Sequence, residues 1–135
     1  MESKGRVFLD TNIILDIMMS ERENHKKAPL LLAKLVDYDI FMSEDMLSTI
    51  YYITKEKEKT KHFFKTIQNE WNIVPFGQKV IQDALDFSIQ QKSCDLEDTL
   101  QCFCAKANNC ILLTNDKKFI DCGVEIATYK DFLGD

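Results

Sequence analysis

Several short apolar segments that end in polar or acidic residues alternate along the chain with longer segments of helical spacing. The first covers residues 7–9 and ends at Asp10, and the clearest, residues 110–114, leads into Asn115 and Asp116. A short, continuous apolar run bounded by turn residues is typical of a strand buried on both faces. Because such strands alternate with helices, the expected fold class is α/β, a three-layer α/β/α sandwich with a central parallel sheet.

The predicted elements fill most of the chain. Strands are expected at residues 6–9, 39–43, 71–75, 110–114 and 124–127. One helix should follow the first strand directly, and others should cover residues 28–38, 44–57, 59–70, 77–91, 95–108 and 129–133. In parallel sheets a site lies beyond the carboxyl ends of the strands, at a switch point. The 135 residues suffice for one core, so a single domain over residues 1–135 is expected.

The composition favours a soluble protein. Hydrophobic residues make up 45% and charged residues 29% of the chain, as in ordinary globular domains. Asp10 and Asp16 interrupt the apolar N-terminal stretch, which argues against a signal peptide, and no apolar run approaches the roughly 20 residues of a spanning helix. We therefore expect a cytoplasmic protein without a membrane partner. With a net charge of −5, bulk charge does not attract nucleic acid, so a nucleic-acid enzyme would need a local basic surface and divalent cations.

Cysteine spacing gives no indication of a zinc site. The five cysteines form no CxxC pair and lie far from His25 and His62 in sequence. Most of them fall within apolar stretches, so we expect buried free thiols, and both histidines are expected at the surface.

Four aspartates fall at positions that can meet at one sheet edge. Asp10 ends the first strand and Asp116 follows the strand at residues 110–114, while Asp95 and Asp98 begin the helix before that strand. Their i,i+3 spacing puts Asp95 and Asp98 on one face, roughly 5–6 Å apart at Cβ, and Glu97 is expected to point off that face. Each aspartate also has a simpler role as a helix cap or a first-turn acid.

A converged cluster of these carboxylates would require a cation. Two carboxylates 4 Å apart repel by about 4 kcal/mol at an effective dielectric near 20. Oxygen ligands of this kind select Mg²⁺ or Mn²⁺, and such an ion activates water and polarises a phosphodiester. The cluster therefore points to a metal-dependent nuclease if the four residues converge.

Four segments of the chain resemble the PIN domain family, in particular the ribonuclease toxins of bacterial toxin–antitoxin pairs of the virulence-associated protein C type. They are residues 7–12, residues 42–43 with the following helix, residues 95–101 and residues 112–119. The resemblance implies a parallel sheet between helices and Mg²⁺- or Mn²⁺-dependent RNA cleavage. It places the catalytic, metal-binding acids at Asp10, Asp98 and Asp116, adds Asp95 as an extra acid of one PIN subgroup, and makes these polar neighbours supporting residues: Thr11, Asn12, Thr49, Thr114 and Asn115.

One position departs from the family pattern. The family usually has a glutamate in the helix after the second strand, and that position holds Thr49 here. Glu44 and Asp45 lie nearby, but their place in the first turn is explained by the helix dipole.

On the strength of the resemblance, the chain is expected to be an endoribonuclease. The resemblance also implies an RNA substrate, an antitoxin and a homodimer. The alternative is a catalytically impaired PIN-like module that binds RNA or protein.

Lysines provide the weaker evidence for RNA binding. Lys117 and Lys118 directly follow Asp116 and are candidates for contact with a substrate phosphate, although a solvated surface is the simpler explanation. The same two interpretations apply to a second basic stretch: Lys55, Lys57, Lys59, Lys61 and Lys65. The aromatic residues of that region are expected to lie in the core or in a dimer contact rather than to stack on bases: Phe63, Phe64 and Trp71.

Two other acid-based folds are excluded. A receiver domain and a haloacid-dehalogenase-type phosphatase both need a second acid shortly after the first, whereas Thr11 and Asn12 follow Asp10 here.

Overall fold

The computed structural model describes residues 4–115 and 121–134. Its strands are β1 (Arg6–Leu9), β2 (Asp39–Ser43), β3 (Asn72–Val74), β4 (Ile111–Leu113) and β5 (Ile126–Ala127). The α-helices in these residues are α1 (Thr11–Met18), α2 (Ala28–Lys34), α3 (Asp45–Ile53), α4 (Lys57–Glu70), α5 (Gly77–Gln90), α6 (Leu96–Ala107) and α7 (Tyr129–Leu133). A 3-10 helix, Glu23–Lys27, precedes α2.

The five strands form one parallel sheet in the order β3-β2-β1-β4-β5. The chain leaves β1 towards β2 and β3, then returns across the sheet to β4 and β5. Because right-handed crossovers that run in opposite directions put their helices on opposite faces, the pair of α5 and α6 covers one face and α1 and α2 cover the other. The expected α/β class with a central parallel sheet is confirmed, and its switch point lies between β1 and β4.

The central strands are apolar on both faces. Val7, Phe8 and Leu9 of β1 are all fully buried, as are Leu112 and Leu113 of β4. Burial on both faces explains why these strands read as continuous apolar runs rather than as alternating patterns. Among the described residues, no helix has the length and apolar character needed to cross a membrane.

Four predicted element boundaries were wrong by two residues or more, and one of them is the start of α4, which begins at Lys57 rather than at residue 59. The helix predicted to reach residue 38 ends at Lys34, because Tyr38 N–H bonds back to Leu35 O and the chain turns into β2. The helix predicted to reach residue 57 ends at Ile53, where Thr54 adopts an extended backbone and its hydroxyl accepts from Glu56 N–H. The last strand begins at residue 126 rather than 124.

The prediction that the cysteines are free thiols was wrong for two of the five. Cys102 of α6 and Cys122, in the turn before β5, form a disulfide across a sequence separation of 20. The bond forms because α6 packs against β4 and the chain passes α6 again on its way to β5. Cys104 and Cys110 are free and buried as expected, whereas Cys94 is free and only half-buried.

Candidate active site

The register of β1 with β4 sets the position of Asp10. Leu9 pairs with Leu113, and Asp10 N–H donates to Leu113 O at 3.1 Å. The next residue of each strand, Asp10 and Thr114, therefore meets the other at the switch point. The Thr114 hydroxyl donates to Asp10 Oδ2, and Ile13 N–H donates to Asp10 Oδ1 at 3.0 Å. Asp10 is thus the N-cap of α1 and is also held in place, 3% exposed, at the carboxyl edge of the sheet.

The first turn of α6 brings further acids to this edge. Asp95 is the N-cap of α6, and its carboxylate accepts from Asp98 N–H at 3.0 Å. Asp95 and Asp98 both line a cleft of about 260 Å³ that Asp10 also lines. The structure therefore brings together three of the four predicted acids, each from the segment that the sequence indicated. The capping roles of Asp10 and Asp95 are present as well, so the two explanations of these residues are compatible.

Glu97 also lines this cleft, which corrects the expectation that it points off the acidic face. The helical spacing was counted from Asp95, but Asp95 is an N-cap with extended backbone (φ −73°, ψ 130°), and α6 begins only at Leu96. Partial burial, followed by the negative charges of Asp45, Asp95 and Asp10, raises the pKa of Glu97 above its ordinary value. Glu97 is a fourth carboxylate of the site.

A buried amide connects α6 to α1 beneath these acids. Gln101 is 2% exposed, and its Nε2 donates to Thr11 Oγ1 at 3.0 Å and contacts Glu97 Oε1 at 3.5 Å. An amide nitrogen carries two hydrogens, so one side chain serves both partners. Sequence reasoning had missed Gln101; a polar residue one turn after Asp98 in an otherwise apolar segment was the available signal.

The α3 wall of the cleft is formed by Thr49 and Ile53. The Thr49 hydroxyl donates to Asp45 O at 3.2 Å, a bond within its own helix, and the Asp45 carboxylate accepts from the Ser43 hydroxyl. Thr49 therefore lies at the expected site, as predicted, but the hydroxyl is already used in helix bonding. The remaining predicted supporting residues also lie at this edge: Thr11, Asn12 and Asn115.

The donor set suits a hard divalent cation. Asp10, Asp95, Glu97 and Asp98 line one cleft, and carboxylate oxygens are the ligands that Mg²⁺ and Mn²⁺ prefer. In the part of the chain that the structure describes, no three His, Cys, Asp or Glu side chains already stand in a metal-holding arrangement. Like charges repel one another in such a cleft. The donor set therefore fits a divalent cation by its chemistry, although the described acids do not form a preformed cage.

A second buried acid supports α1 from behind the cleft. Asp16, 3% exposed, accepts from Tyr129 Oη at 2.6 Å and from Arg22 Nε at 2.6 Å. Arg22 also approaches Asn12 Oδ1 at 3.5 Å, and His25 Nδ1 is hydrogen-bonded to Asp16 O at 2.8 Å. Sequence reasoning had missed this network, because its partners come from α1, the following turn and α7. The network fixes α1, the helix that Asp10 caps.

Three predicted site residues, Asp116, Lys117 and Lys118, lie outside the described residues. In the second basic stretch, Lys61 pairs with Glu58 at 2.8 Å and Lys59 with Glu56 at 3.4 Å, all on exposed side chains. These pairs favour the interpretation of that stretch as a solvated helical surface. Three aromatic side chains nearby pack against the core, as expected: Phe63, Phe64 and Trp71.

Comparison with known proteins agrees with this geometry. The PIN domain family model matches residues 7–124. Ribonuclease VapC1 of Aquifex aeolicus (strain VF5) is 35% identical over 133 residues, which cover 94% of this chain and 92% of that protein.

Two solved structures share the fold. VapC20 of Mycobacterium tuberculosis has a TM-score of 0.74 at 11% identity and covers 90% of this chain and 98% of its own. A toxin–antitoxin complex from Klebsiella pneumoniae has a TM-score of 0.72 at 18% identity, with 91% and 97% covered. By its sheet order, its acidic cleft and its similarity over nearly the whole length, the chain belongs to the PIN domain family.

Proposed function

We propose that this protein is a divalent-metal-dependent endoribonuclease and acts as the toxin of a toxin–antitoxin pair. The observation that carries the proposal is the convergence of Asp10 with the first-turn acids of α6 at the carboxyl edge of the sheet. The relative with 35% identity is a ribonuclease, which supports RNA as the substrate. Asp116, which follows β4, completes the proposed set of catalytic acids.

The proposed site residues have two roles, to bind the cation and to orient the carboxylate of Asp10. Asp10, Asp98, Asp95 and Asp116 hold the cation, and when bound, Mg²⁺ or Mn²⁺ supplies Lewis-acid activation of water and stabilises charge on the phosphoryl oxygens. Thr114 and the Ile13 N–H fix the Asp10 carboxylate through one hydrogen bond to each oxygen. Each carboxylate oxygen can accept more than one bond, so both remain able to contact a cation.

Substitution of Asp10 tests the proposal. In Asp10→Asn the side-chain oxygen can still cap α1, so the variant should fold while losing a cation ligand. We expect Mn²⁺-dependent cleavage of RNA to fall at least roughly a hundredfold, by analogy with the loss of one essential electrostatic group at an active site. Asp86→Asn, which removes an exposed charge from α5, is the matched control and should cleave as the wild type does.

Two results would contradict the proposal. Equal cleavage by Asp10→Asn and the wild type would assign the activity to another site or to a contaminant. A folded wild type that binds RNA but does not cleave it with Mg²⁺ or Mn²⁺ would favour the alternative, a binding module without catalysis.

We also propose that a small antitoxin binds the protein and blocks the cleft, in the cytoplasm where an RNA substrate is found. A solved structure of the same fold is a toxin–antitoxin complex, which supports a protein partner. The end of α1 lines a groove, whereas its beginning lines the acidic cleft. The groove wall carries a set of partly buried apolar residues able to receive an apolar segment: Ile17, Met18, Met19 and Phe63. Expression of the wild type alone should arrest growth of a bacterial host, and Asp10→Asn should relieve the arrest.

A homodimer is the second proposed assembly. Helix α5 exposes three apolar side chains at four-residue spacing, which places them along one side of the helix: Ile81, Leu85 and Ile89. A stripe of this kind supports self-association. Sedimentation of the purified protein at two concentrations would measure the oligomeric state.

A further inference from the structure

We propose that Glu97 is a direct ligand of the catalytic cation and supplies the carboxylate that α3 does not provide. The inference rests on the proposed nuclease function and assigns a further residue to its site. It follows from where Glu97 lies, from what holds it there, and from what the α3 wall of the cleft contains.

The position of Glu97 in the first turn of α6 supports its assignment as a ligand. Glu97 follows Leu96 in the first turn of α6 and lines the cleft together with Asp10 on β1 and its own neighbours Asp95 and Asp98. Asp95 is the N-cap of α6 rather than a helical residue, and all three acids of this segment line the cleft. Glu97 has the longest side chain of the three, so it reaches furthest from the helix backbone.

A contact with Gln101 orients the Glu97 carboxylate. Gln101 lies one turn further along α6, and its buried amide contacts both Glu97 Oε1 and Thr11 Oγ1. Thr11 directly follows Asp10 in the chain, so this amide ties the Glu97 carboxylate to the strand end that presents Asp10. The contact at 3.5 Å is weak enough that the carboxylate can turn towards a cation without loss of the Gln101–Thr11 bond.

The α3 side of the cleft differs in charge from the α6 side. In α3, every residue of which is described, the cleft is lined by Thr49 and Ile53. Thr49 carries no charge and donates its hydroxyl to Asp45 O. The Asp45 carboxylate accepts from the Ser43 hydroxyl and is not among the side chains that line the cleft. The α3 residues that line the cleft therefore carry no carboxylate. Glu97 lines the same cleft from α6.

Manganese binding tests the assignment without relying on catalysis. The amount of free Mn²⁺ is measured by electron paramagnetic resonance for the wild type, Glu97→Gln, Asp10→Asn and the control Asp86→Asn. Glu97→Gln keeps the shape of an exposed side chain, and its melting curve checks that it folds. Loss of groups that merely orient ligands weakens metal binding roughly 10- to 100-fold, so we expect Glu97→Gln to weaken Mn²⁺ binding at least tenfold and Asp86→Asn to leave it unchanged.

The ionic strength separates ligation from a general charge effect. Interactions between exposed charges that are not in contact are strongly screened at high salt, where the Debye length falls to roughly 3 Å at 1 M. A direct ligand predicts that the affinity ratio of wild type to Glu97→Gln persists from low salt to 1 M NaCl. A ratio that falls to about one at high salt would overturn the assignment.

The outcomes also separate this inference from the proposed function. If Asp10→Asn loses Mn²⁺ while Glu97→Gln binds it as the wild type does, Glu97 is not a ligand and the nuclease proposal stands. If Asp10→Asn and Glu97→Gln both bind Mn²⁺ as the wild type does, the cation site itself is refuted, and this assignment with it.

Discussion

Reduction of the Cys102–Cys122 disulfide should destabilise the protein strongly. The bond closes a loop with a sequence separation of 20. In the chain-entropy model a crosslink of this span lowers the entropy of the unfolded chain by about 11 cal/mol/K, which corresponds to about 3 kcal/mol at 25 °C. For a domain of 135 residues, unfolding entropy scales with length, so the melting temperature should fall by about 12 °C.

The assay compares melting curves of the same protein in its two redox states. Thermal unfolding is followed by circular dichroism with and without a phosphine reductant, and intact mass shows the gain of two hydrogens that confirms reduction. Reduction of the native sequence is a cleaner perturbation than substitution, because both cysteines are buried and their replacement would also change the packing. Cys94→Ser, which alters a half-buried free thiol, is the control and should respond to reductant as the wild type does.

The reasoning would be refuted by a melting temperature that stays within about 2 °C when the mass shows full reduction. That result would mean that residual structure already restricts the reduced unfolded chain as much as the bond does. A fall near the expected size would show that the link between α6 and the turn before β5 contributes to the stability of the site-bearing helix.

Two other predictions concern buried groups away from the cleft. Asp16→Ala should lower the free energy of unfolding by about 3 kcal/mol, since it leaves Tyr129 Oη and the Arg22 guanidinium without their carboxylate; urea denaturation measures the loss, and a change below about 0.5 kcal/mol would contradict the importance of the network. Burial raises the pKa of Cys104 to about 12 and that of Cys110 to about 11, so both thiols should resist alkylation at pH 8 in the folded protein. Because these pKa values lie above the unfolded value of about 8.5, their contribution to stability is complete below that pH and is lost as the pH rises through the folded values. Urea denaturation from pH 8 to pH 11 should therefore show falling stability, and rapid alkylation of both thiols at pH 8 would contradict the premise.

The sheet edge at which the acids lie was predictable from the sequence. Apolar runs mark β1 and β4, and parallel strands end at a common edge, so Asp10 and the residues after β4 were expected at the same edge. That β1 and β4 are neighbours is seen only in the structure. The acids at the start of α6 followed in the same way, because a helix that leads into β4 must begin at the opposite end of that strand.

Features that depend on local helix geometry or on distant packing could not be predicted. Glu97 was misplaced because the first helical residue of α6 is Leu96, and an error of one position rotates the expected direction by about 100°. The pairing of Cys102 with Cys122 depends on how the chain returns past α6, and cysteine spacing alone does not determine connectivity. The Asp16–Tyr129 bond joins residues 113 apart, for which the sequence carries no periodic signal.

The bond between Asp10 and Thr114 joins residues 104 positions apart, and this separation has a consequence for synthesis of the protein. Asp10 leaves the ribosome well before its cleft partners on α6 and its neighbour after β4. A nascent chain that has not yet released β4 cannot pair it with β1 and cannot form the cleft. Such a chain therefore lacks the proposed nuclease site, and the activity can appear only after β4 and the residues that follow it have been synthesised.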